Sequence, residues 1–298
     1  MAGASTFLAL NNGVQMPALG LGVYQSSPEQ TVNAVATALA CGYRLIDTAA
    51  AYGNEAQVGE AVRRSGIDRA EIFVTSKAWI SDYGYDATLH AFDRSLRKLG
   101  LDLLDLYLLH WPMPTEFDAT VGAWKAAEKL LADGRVRAIG VSNFSPKHLD
   151  DLIARSEVVP AVNQVELHPF FVQEAVRAAD QRLGIVTQAW SPIGGVNRYR
   201  DAAGGEEQDP LAHPVVAALA ARYGKTPAQI VLRWHLELGL SAIPKSVRPA
   251  RIAENIGIFD FSLTRDEVRA ISALDTGARG GPDPEQVNTR LFSFRIED

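Results

Sequence analysis

Four side chains that could move protons or bind an anion occur at related places in the chain: Asp47, Tyr52, Lys77 and His110. Asp47 directly follows two apolar residues of a buried-type segment. An ionised carboxylate there costs several kcal/mol to desolvate unless a cation or hydrogen-bond donors meet it. Lys77 ends the next apolar segment and is the expected partner, because neighbouring parallel strands lie about 4.8 Å apart. At about 4 Å and an effective dielectric near 20, their attraction is about 4 kcal/mol, comparable with the cost of burying either charge.

Tyr52 and His110 could complete a proton-donating group around this ion pair. Tyr52 follows Asp47 on the same loop, so its phenol can turn back beside the Lys77 ammonium. A cation there is expected to lower the pKa of the phenol from its usual value near 10. His110 ends the following apolar segment and could donate a hydrogen bond to the same substrate oxygen. Together the four groups fit carbonyl reduction, although singly each also fits a structural ion pair, a loop aromatic or a hydrogen-bonded core histidine.

The elements that must position these residues form a repeating pattern of short apolar β-type segments and segments of helical spacing. The predicted strands are residues 19–23, 44–47, 72–77, 104–110, 136–142, 161–166, 185–190 and 240–245. Predicted helices include one with Ser27 as N-cap and Gly42 as stop, and one opened by Ser145 with Pro146 in its first turn. Eight such repeats can close as an α/β (β/α)8 TIM barrel or lie open as a doubly wound sheet, and one helix per strand favours the barrel.

Further segments lie before, within and after the predicted barrel. Asn12-Gly13 between two extended runs predicts an N-terminal β-hairpin, which we interpret as a plug of the barrel bottom. The interval before the last strand is about twice as long as the others and predicts an extra helix near the C-terminus. It also holds a Gly-rich, charged loop at about residues 193–212, interpreted as a lid. No linker composition appears, so residues 1–298 are expected to form a single domain with a C-terminal tail at about 276–298.

Composition narrows the class of protein and of partner. The chain has 298 residues, 47% hydrophobic and 21% charged, as in ordinary soluble globular proteins. A net charge of −6 with scattered Lys and Arg argues against nucleic acid or an anionic membrane surface. No apolar run approaches the roughly 20 residues that span a bilayer, and the first residues lack a basic, apolar leader. Cys41 is the only cysteine, so neither an intramolecular disulfide nor a multi-cysteine metal site is expected. These features predict a cytoplasmic protein without a bound metal that acts on a small molecule. We also expect a monomer, although no feature of the sequence determines the oligomeric state.

Eight stretches of the chain resemble motifs of the aldo-keto reductase family. They are GLGVYQ, RLIDTAAAYGNE, TSKAW, LDLLDLYLLHWP, GRVRAIGVSNF, VNQVELHP, AWSPIG and IPKSVRPARIAENI, and the resemblance extends over about residues 7–275. It implies NADPH-dependent reduction of aldehydes or ketones, with hydride coming from the nicotinamide. The tetrad of Asp47, Tyr52, Lys77 and His110 would be catalytic, with Tyr52 giving the proton. The short tail and Tyr24 resemble the bacterial 2,5-diketo-D-gluconate reductase subgroup.

The same resemblance implies a cofactor site for NADPH or NADP+. It assigns the carboxamide to Ser142, Asn143 and Gln164, and the aromatic that stacks on the nicotinamide to Trp190, where the family more often has tyrosine. The 2′-phosphate is assigned to Lys245, Ser246, Arg248, Arg251, Glu254 and Asn255. Other predicted contacts are Gly22, Val23, Asp47, Ser191, Pro192, Ile193, Gly194 and Val247. A phosphate beyond the last strand would also meet a helix N-terminus, which favours NADPH over NADH. Without a cofactor, Trp190 could simply be an aromatic that fills the barrel rim. The basic residues at 245–251 could simply be a solvated start of a helix.

Substrate selection is expected from aromatic residues above the tetrad. The predicted substrate-binding residues are Tyr24, Tyr52, Trp79, His110 and Trp111, with the 193–212 loop above them and the tail from residue 288 closing the side. No G-x-G-x-x-G motif follows a strand, so a Rossmann site is not expected. Two other functions stay open. One is a cofactor-binding regulatory or structural protein of the same fold with little turnover, and the other is an unrelated barrel isomerase or lyase, which residues 245–255 oppose.

Overall fold

The structure is a computed structural model that describes residues 6–194 and 209–297. It begins with an antiparallel hairpin of β1 (Phe7–Ala9) and β2 (Gln15–Pro17), followed by one sheet of eight parallel strands in sequential order. The strands of that sheet are β3 (Leu21–Gly22), β4 (Leu45–Asp47), β5 (Phe73–Ala78), β6 (Leu104–Leu109), β7 (Val136–Ser142), β8 (Val162–Glu166), β9 (Val186–Trp190) and β10 (Ser241–Ala242). Each of the eight predicted strands is confirmed.

The two edges of the sheet meet, so the predicted (β/α)8 barrel is confirmed. Parallel bridges join Leu19 to Ala242 and Gly22 to Lys245. A Cβ on Gly22 would lie 3.0 Å from the carbonyl oxygen of Ile243, which is closer than ordinary contact. Glycine therefore lets the first and last strands approach closely enough to pair.

Helices follow the strands and pack their apolar faces on the outside of the sheet. They are α1 (Pro28–Ala40), α2 (Glu55–Arg64), α3 (Tyr85–Leu99), α4 (Phe117–Ala132), α5 (Pro146–Ile153), α6 (Glu174–Leu183), α7 (Pro214–Tyr223), α8 (Pro227–Glu237), α9 (Pro249–Ile256) and α10 (Arg265–Ser272). The predicted N-caps are confirmed, because the Ser27 and Ser145 hydroxyls each accept a backbone N–H in a capping box. Helix α7 is the predicted extra helix before the last strand. None of the described helices is both long and apolar enough to cross a membrane.

The hairpin closes one end of the barrel, as predicted. Met16 is fully buried and clusters with Leu45, Phe73 and Leu106, which come from three successive barrel strands. Burying a side chain of this size stabilises the fold by about 1.5–3 kcal/mol. With this end filled by apolar groups, the polar residues at the carboxyl ends of the strands lie at the opposite mouth.

Of the predicted lid and the predicted C-terminal tail, the structure describes mainly the tail. The predicted lid at about 193–212 lies mostly in residues 195–208, outside the described residues. The C-terminal tail is described to residue 297 and contains a 3₁₀ turn at Pro284–Gln286. The organisation of residues 1–298 as a single domain stays a prediction.

Candidate active site

Three neighbouring strands and one loop place the four predicted catalytic residues at the same mouth of the barrel. Asp47 is the last residue of β4, and Tyr52 closes the 3₁₀ turn that follows it. Lys77 lies near the end of β5, and His110 directly follows β6. Because parallel strands of a barrel end at one face, the chain positions acid, base and cation groups together.

The predicted ion pair is confirmed. Lys77 Nζ lies 2.5 Å from Asp47 Oδ1, and the two side chains are 0% and 2% exposed. The same ammonium donates to the Thr48 carbonyl at 2.9 Å and to the Tyr52 hydroxyl at 3.4 Å. Gln164 Nε2 donates to the second carboxylate oxygen of Asp47 at 2.7 Å. The buried charges are thus both paired and hydrogen-bonded, which is the condition for keeping them inside a protein.

Burial governs the protonation of the pair. It raises the pKa of the Asp47 carboxyl, while the charge of Lys77 and hydrogen bonds from Lys77 and Gln164 oppose the rise. Burial lowers the pKa of the Lys77 ammonium, and Asp47 opposes that shift. Each partner therefore depends on the other to remain charged.

The predicted lowering of the Tyr52 pKa is wrong. Burial, together with the negative charge of Asp47, raises the pKa of the phenol well above its usual value. The reason lies in the distances, because the Lys77 ammonium is 2.5 Å from the Asp47 carboxylate and 3.4 Å from the phenol oxygen. The carboxylate offsets the cation that was expected to acidify the phenol. Tyr52 consequently keeps its proton at neutral pH and carries it beside a cation.

His110 is buried and uncharged. Burial and the nearby Lys77 lower the pKa of its imidazole well below the usual value, so the neutral ring has one N–H to donate. The ring lies edge-on to Tyr52, with centroids 5.8 Å apart. Its Nδ1 atom is buried and has no hydrogen-bond partner among the described residues. The neutral imidazole beside the Tyr52 ring can donate its one N–H to a ligand oxygen near the Tyr52 hydroxyl.

The residues predicted to hold a carboxamide lie next to the tetrad. Asn143 has a left-handed backbone, with φ +68°, directly after β7. Its Nδ2 donates to the His110 carbonyl at 2.9 Å and to the Ser142 hydroxyl at 3.1 Å. Its Oδ1 accepts a hydrogen bond from Trp190 Nε1 at 2.8 Å. Trp190 is thus tied to Asn143, a bond that a tyrosine at this position would have to make with a differently placed hydroxyl.

The residues predicted for a 2′-phosphate lie around the start of α9. Ser246 Oγ accepts from the Arg248 N–H at 3.1 Å and so stabilises the turn into the helix. Burial lowers the pKa of the Lys245 ammonium, whereas Arg248 and Arg251 are exposed. Glu254 accepts a hydrogen bond from a threonine of the α8 cap at 2.8 Å. Three cations and a helix N-terminus therefore share one place, and their role toward a phosphate stays a prediction.

The other predicted cofactor residues border the same mouth. Ser191, with φ +48°, begins the turn after β9, and its carbonyl accepts from the Gly194 N–H at 3.0 Å. The Pro192 carbonyl is 2.9 Å from the ring of buried His235, which fixes this turn on α8. The remaining members are Gly22 and Val23 at the end of β3, Ile193 in the turn after β9, Val247 before α9 and buried Asn255 on α9.

Aromatic residues surround the tetrad as predicted. The Tyr24 ring is half exposed and lies 5.0 Å from the Tyr52 ring. Trp79 lies edge-on to His110 at 5.2 Å, and Trp111 lies parallel to the same imidazole at 6.3 Å. The phenol and imidazole that could handle a proton therefore have an apolar surface beside them, which suits an apolar part of a small molecule.

The C-terminal tail closes one side of this aromatic surface, as predicted. Phe294 stacks on Trp79 at 4.6 Å, and Trp79 Nε1 donates to the Phe294 carbonyl at 3.3 Å. Phe292 contacts the rings of both Trp79 and Trp111. The tail thus covers Trp79 and Trp111 from one side, and its contact with a substrate stays a prediction.

One residue of this mouth received no function in the sequence-based prediction. Glu166 ends β8 and is fully buried. Its carboxylate accepts hydrogen bonds from His168 Nε2 at 3.0 Å and from the backbone N–H groups of Gly280 and Gly281 at 2.7 and 2.9 Å. Only the paired glycines in the tail could have suggested this close approach.

Within residues 6–194 and 209–297, no three His, Cys, Asp or Glu side chains are grouped to hold a metal ion.

Comparison with known proteins agrees with this architecture. Residues 17–276 match the Aldo/keto reductase family. Morphine 6-dehydrogenase of Pseudomonas putida is 56% identical over 294 residues, covering 98% of this chain and 99% of that protein. Methylglyoxal reductase DkgA of Escherichia coli K12 is 47% identical over 281 residues, covering 94% and 98%. The crystal structure of a Gox0644 mutant in complex with NADPH has a TM-score of 0.86 and 41% identity, covering 96% of this chain and 99% of that one.

These relatives confirm the resemblance that the sequence motifs predicted, including the likeness to bacterial members of the family. The matches extend over nearly the whole barrel and both of its closing strands. The chain therefore belongs to the aldo/keto reductase family and is an oxidoreductase.

Proposed function

We propose that this protein is an NADPH-dependent reductase that converts aldehydes or ketones to alcohols, with Tyr52 as the proton donor. The observation that carries the proposal is the connected group at the barrel mouth, where buried Asp47 holds Lys77 and Lys77 contacts the Tyr52 hydroxyl. Neutral His110 lies beside the same phenol. A carbonyl oxygen placed between phenol and imidazole would receive two hydrogen bonds while charge develops on it.

The residues present fit a nicotinamide cofactor. Gln164 Oε1 could accept a hydrogen bond from a carboxamide N–H. The donors of Ser142, Asn143 and Gln164 already donate within the protein and would have to exchange one of those bonds for the carboxamide oxygen. The partly exposed Trp190 offers an aromatic face next to them. Lys245, with the arginines at the start of α9, supplies the positive charge that an adenosine 2′-phosphate needs. When bound there, NADPH would supply the hydride that adds to the carbonyl carbon.

The chemistry of the protein's own groups then follows from their contacts. Tyr52 transfers its hydroxyl proton to the carbonyl oxygen, and the phenolate left behind lies 3.4 Å from the Lys77 ammonium. That cation stabilises the phenolate until a proton from solvent restores the phenol. Because burial raises the pKa of Tyr52, the phenolate would be costly without Lys77. Asp47 keeps Lys77 charged and in place for this step.

Exchange of Tyr52 for Phe tests the proton donor. NADPH consumption by the wild type should be measured with a panel of aldehydes, ketones and methylglyoxal, and NADP+ reduction with morphine, the compounds that the relatives' names suggest. Tyr52→Phe should lower kcat by about 10²–10⁴, the usual worth of a general acid. The dissociation constant for NADPH should change little, because only one hydroxyl is removed.

Tyr24→Phe is the matched control, since it removes a hydroxyl from the neighbouring ring 5.0 Å away. It should keep kcat close to that of the wild type. Full activity of Tyr52→Phe would remove Tyr52 from the proposed role. A wild type that binds NADPH but reduces no carbonyl would instead favour the binding-protein alternative.

The preference for NADPH depends on the cations near α9. Replacing Lys245 and Arg251 by alanine should weaken binding of NADPH far more than binding of NADH, because only NADPH carries the additional phosphate. Arg269→Ala on α10, which removes an exposed cation outside this group, should leave both affinities unchanged. Equal weakening of NADPH and NADH binding by the double variant would contradict the assignment.

The monomeric state and the cytoplasmic location stay predictions, to be tested by sedimentation and by cell fractionation.

A further inference from the structure

Trp190 is held from two sides in this structure. On one side its Nε1 donates to Asn143 Oδ1 at 2.8 Å. On the other side the C-terminal tail approaches so closely that a Cβ on Gly281 would lie 2.5 Å from Trp190 Cη2. Real Cβ atoms do not approach another heavy atom at that distance, so only glycine allows the tail backbone to pack on the edge of the indole.

Glycine at position 281 serves this contact and not a special backbone conformation. Gly277 in the same tail has φ +67°, where a side chain would be strained in any surroundings. Gly281 has no such positive φ, so its backbone would accept alanine. The constraint is therefore space, because the new Cβ would lie 2.5 Å from Trp190 Cη2 and 3.2 Å from Glu166 Oε2. Gly281→Ala probes mainly the contact with the ring, where the approach is closer.

Glu166 holds the tail in this position. It pairs with Trp190 across the β8–β9 register, so the carboxylate and the indole are neighbours on adjacent strands. Both oxygens accept backbone N–H groups of Gly280 and Gly281, and His168 donates to the same carboxylate. Although burial alone would raise it, these hydrogen bonds lower the pKa of Glu166, so the carboxylate is ionised at neutral pH. Charge-assisted bonds to backbone N–H groups are among the stronger contacts that could fix a tail.

We propose that Glu166 and Gly281 are positioning residues that clamp the C-terminal tail against Trp190, and thereby set the plane of the indole on which the nicotinamide stacks. The inference rests on the proposed function, because it takes Trp190 as the stacking residue. It makes the tail a determinant of cofactor affinity in addition to a wall of the substrate pocket. Asn143 and Gly281 together leave the indole one orientation.

The test combines Gly281→Ala with Trp190→Tyr. Gly281→Ala should raise the dissociation constant for NADPH, measured by calorimetry, by about tenfold, the worth of one aromatic stacking contact. Tyrosine lacks the Cη2 atom that the new Cβ would meet. The double variant should therefore bind NADPH about as tightly as Trp190→Tyr alone. Ala278→Ser, which enlarges an exposed residue of the same tail, should bind like the wild type.

A second measurement follows the clamp without cofactor. Acrylamide quenching of Trp190, taken as the difference between each protein and its Trp190→Tyr counterpart, should increase in Gly281→Ala and in Glu166→Gln. Circular dichroism establishes that each variant is folded. Unchanged NADPH affinity in Gly281→Ala, or the same loss of affinity in the Trp190→Tyr background, would overturn the clamp.

Failure of the proposed function gives a different result. A wild type without carbonyl turnover would refute the reductase proposal, while the quenching comparison would still decide whether the tail fixes Trp190. A wild type that turns over carbonyls, with a Gly281→Ala variant of unchanged affinity and unchanged quenching, would refute the clamp alone. A purely structural anchor would raise quenching and leave the affinity for NADPH unchanged, which also contradicts the inference.

Discussion

The buried pair of Asp47 and Lys77 predicts strong coupling between two substitutions. At the observed separation of 2.5 Å, the attraction is about 7 kcal/mol at an effective dielectric of 20. Removing one partner leaves the other charge buried without compensation. Each of Asp47→Asn and Lys77→Met should therefore lower the free energy of unfolding by about 3–5 kcal/mol. The double variant should lose much less than the sum, because no unpaired charge remains inside the barrel.

Urea unfolding at pH 7, followed by circular dichroism, measures this double-mutant cycle. We expect a coupling free energy of at least about 2 kcal/mol, within the range for residues in direct contact. The exposed pair Lys147 and Asp151 on α5 serves as control, and its cycle should show far weaker coupling because solvent screens both charges. Losses from the two buried substitutions that simply add, within about 0.5 kcal/mol, would refute the view that each charge is retained only through the other.

Two further predictions concern the interior and the pocket wall. Burial raises the pKa of Asp180 to about 7, so the folded protein loses stability from this group as pH rises from the unfolded value of 3.8 to about 7. Relative to the wild type, the melting temperature of Asp180→Asn should accordingly be higher at pH 8 than at pH 5, and an equal difference at both pH values would contradict the assignment. Phe294→Ala should raise KM for aromatic aldehydes while leaving the NADPH dissociation constant unchanged, because Phe294 stacks on Trp79. A loss confined to cofactor binding would remove Phe294 from the substrate wall.

The barrel could be predicted because its strands are short apolar runs with polar residues at their carboxyl ends. Strands that follow one another in the sequence are neighbours in the barrel, so the polar residues at their ends are neighbours as well. That is why the pairing of Asp47 with Lys77, 30 residues apart, could be predicted from the sequence alone. The capping serines of α1 and α5 were predictable for the same local reason, because a cap depends on residues within one helical turn.

Other features depend on packing that local pattern does not encode. The predicted direction of the Tyr52 pKa shift was wrong, because burial and the Asp47 charge raise this pKa and together outweigh the nearby Lys77 ammonium. The contact of Glu166 with Gly281 joins residues 115 positions apart, through a tail without regular strand or helix periodicity. The hydrogen bond from Trp190 to Asn143 depends on a rotamer, which a sequence does not specify.

The bridge between Gly22 and Lys245 has a consequence for synthesis of the chain on the ribosome. A nascent polypeptide that has emerged only through residue 190 already contains Asp47, Tyr52, Lys77 and His110, yet its first barrel strand has no neighbour on its outer edge. That edge stays an open template for pairing with another chain until the last strand arrives. The residues around Lys245 that we propose for the 2′-phosphate arrive with the same last strand, so closing this sheet edge and completing the cofactor site depend on one event.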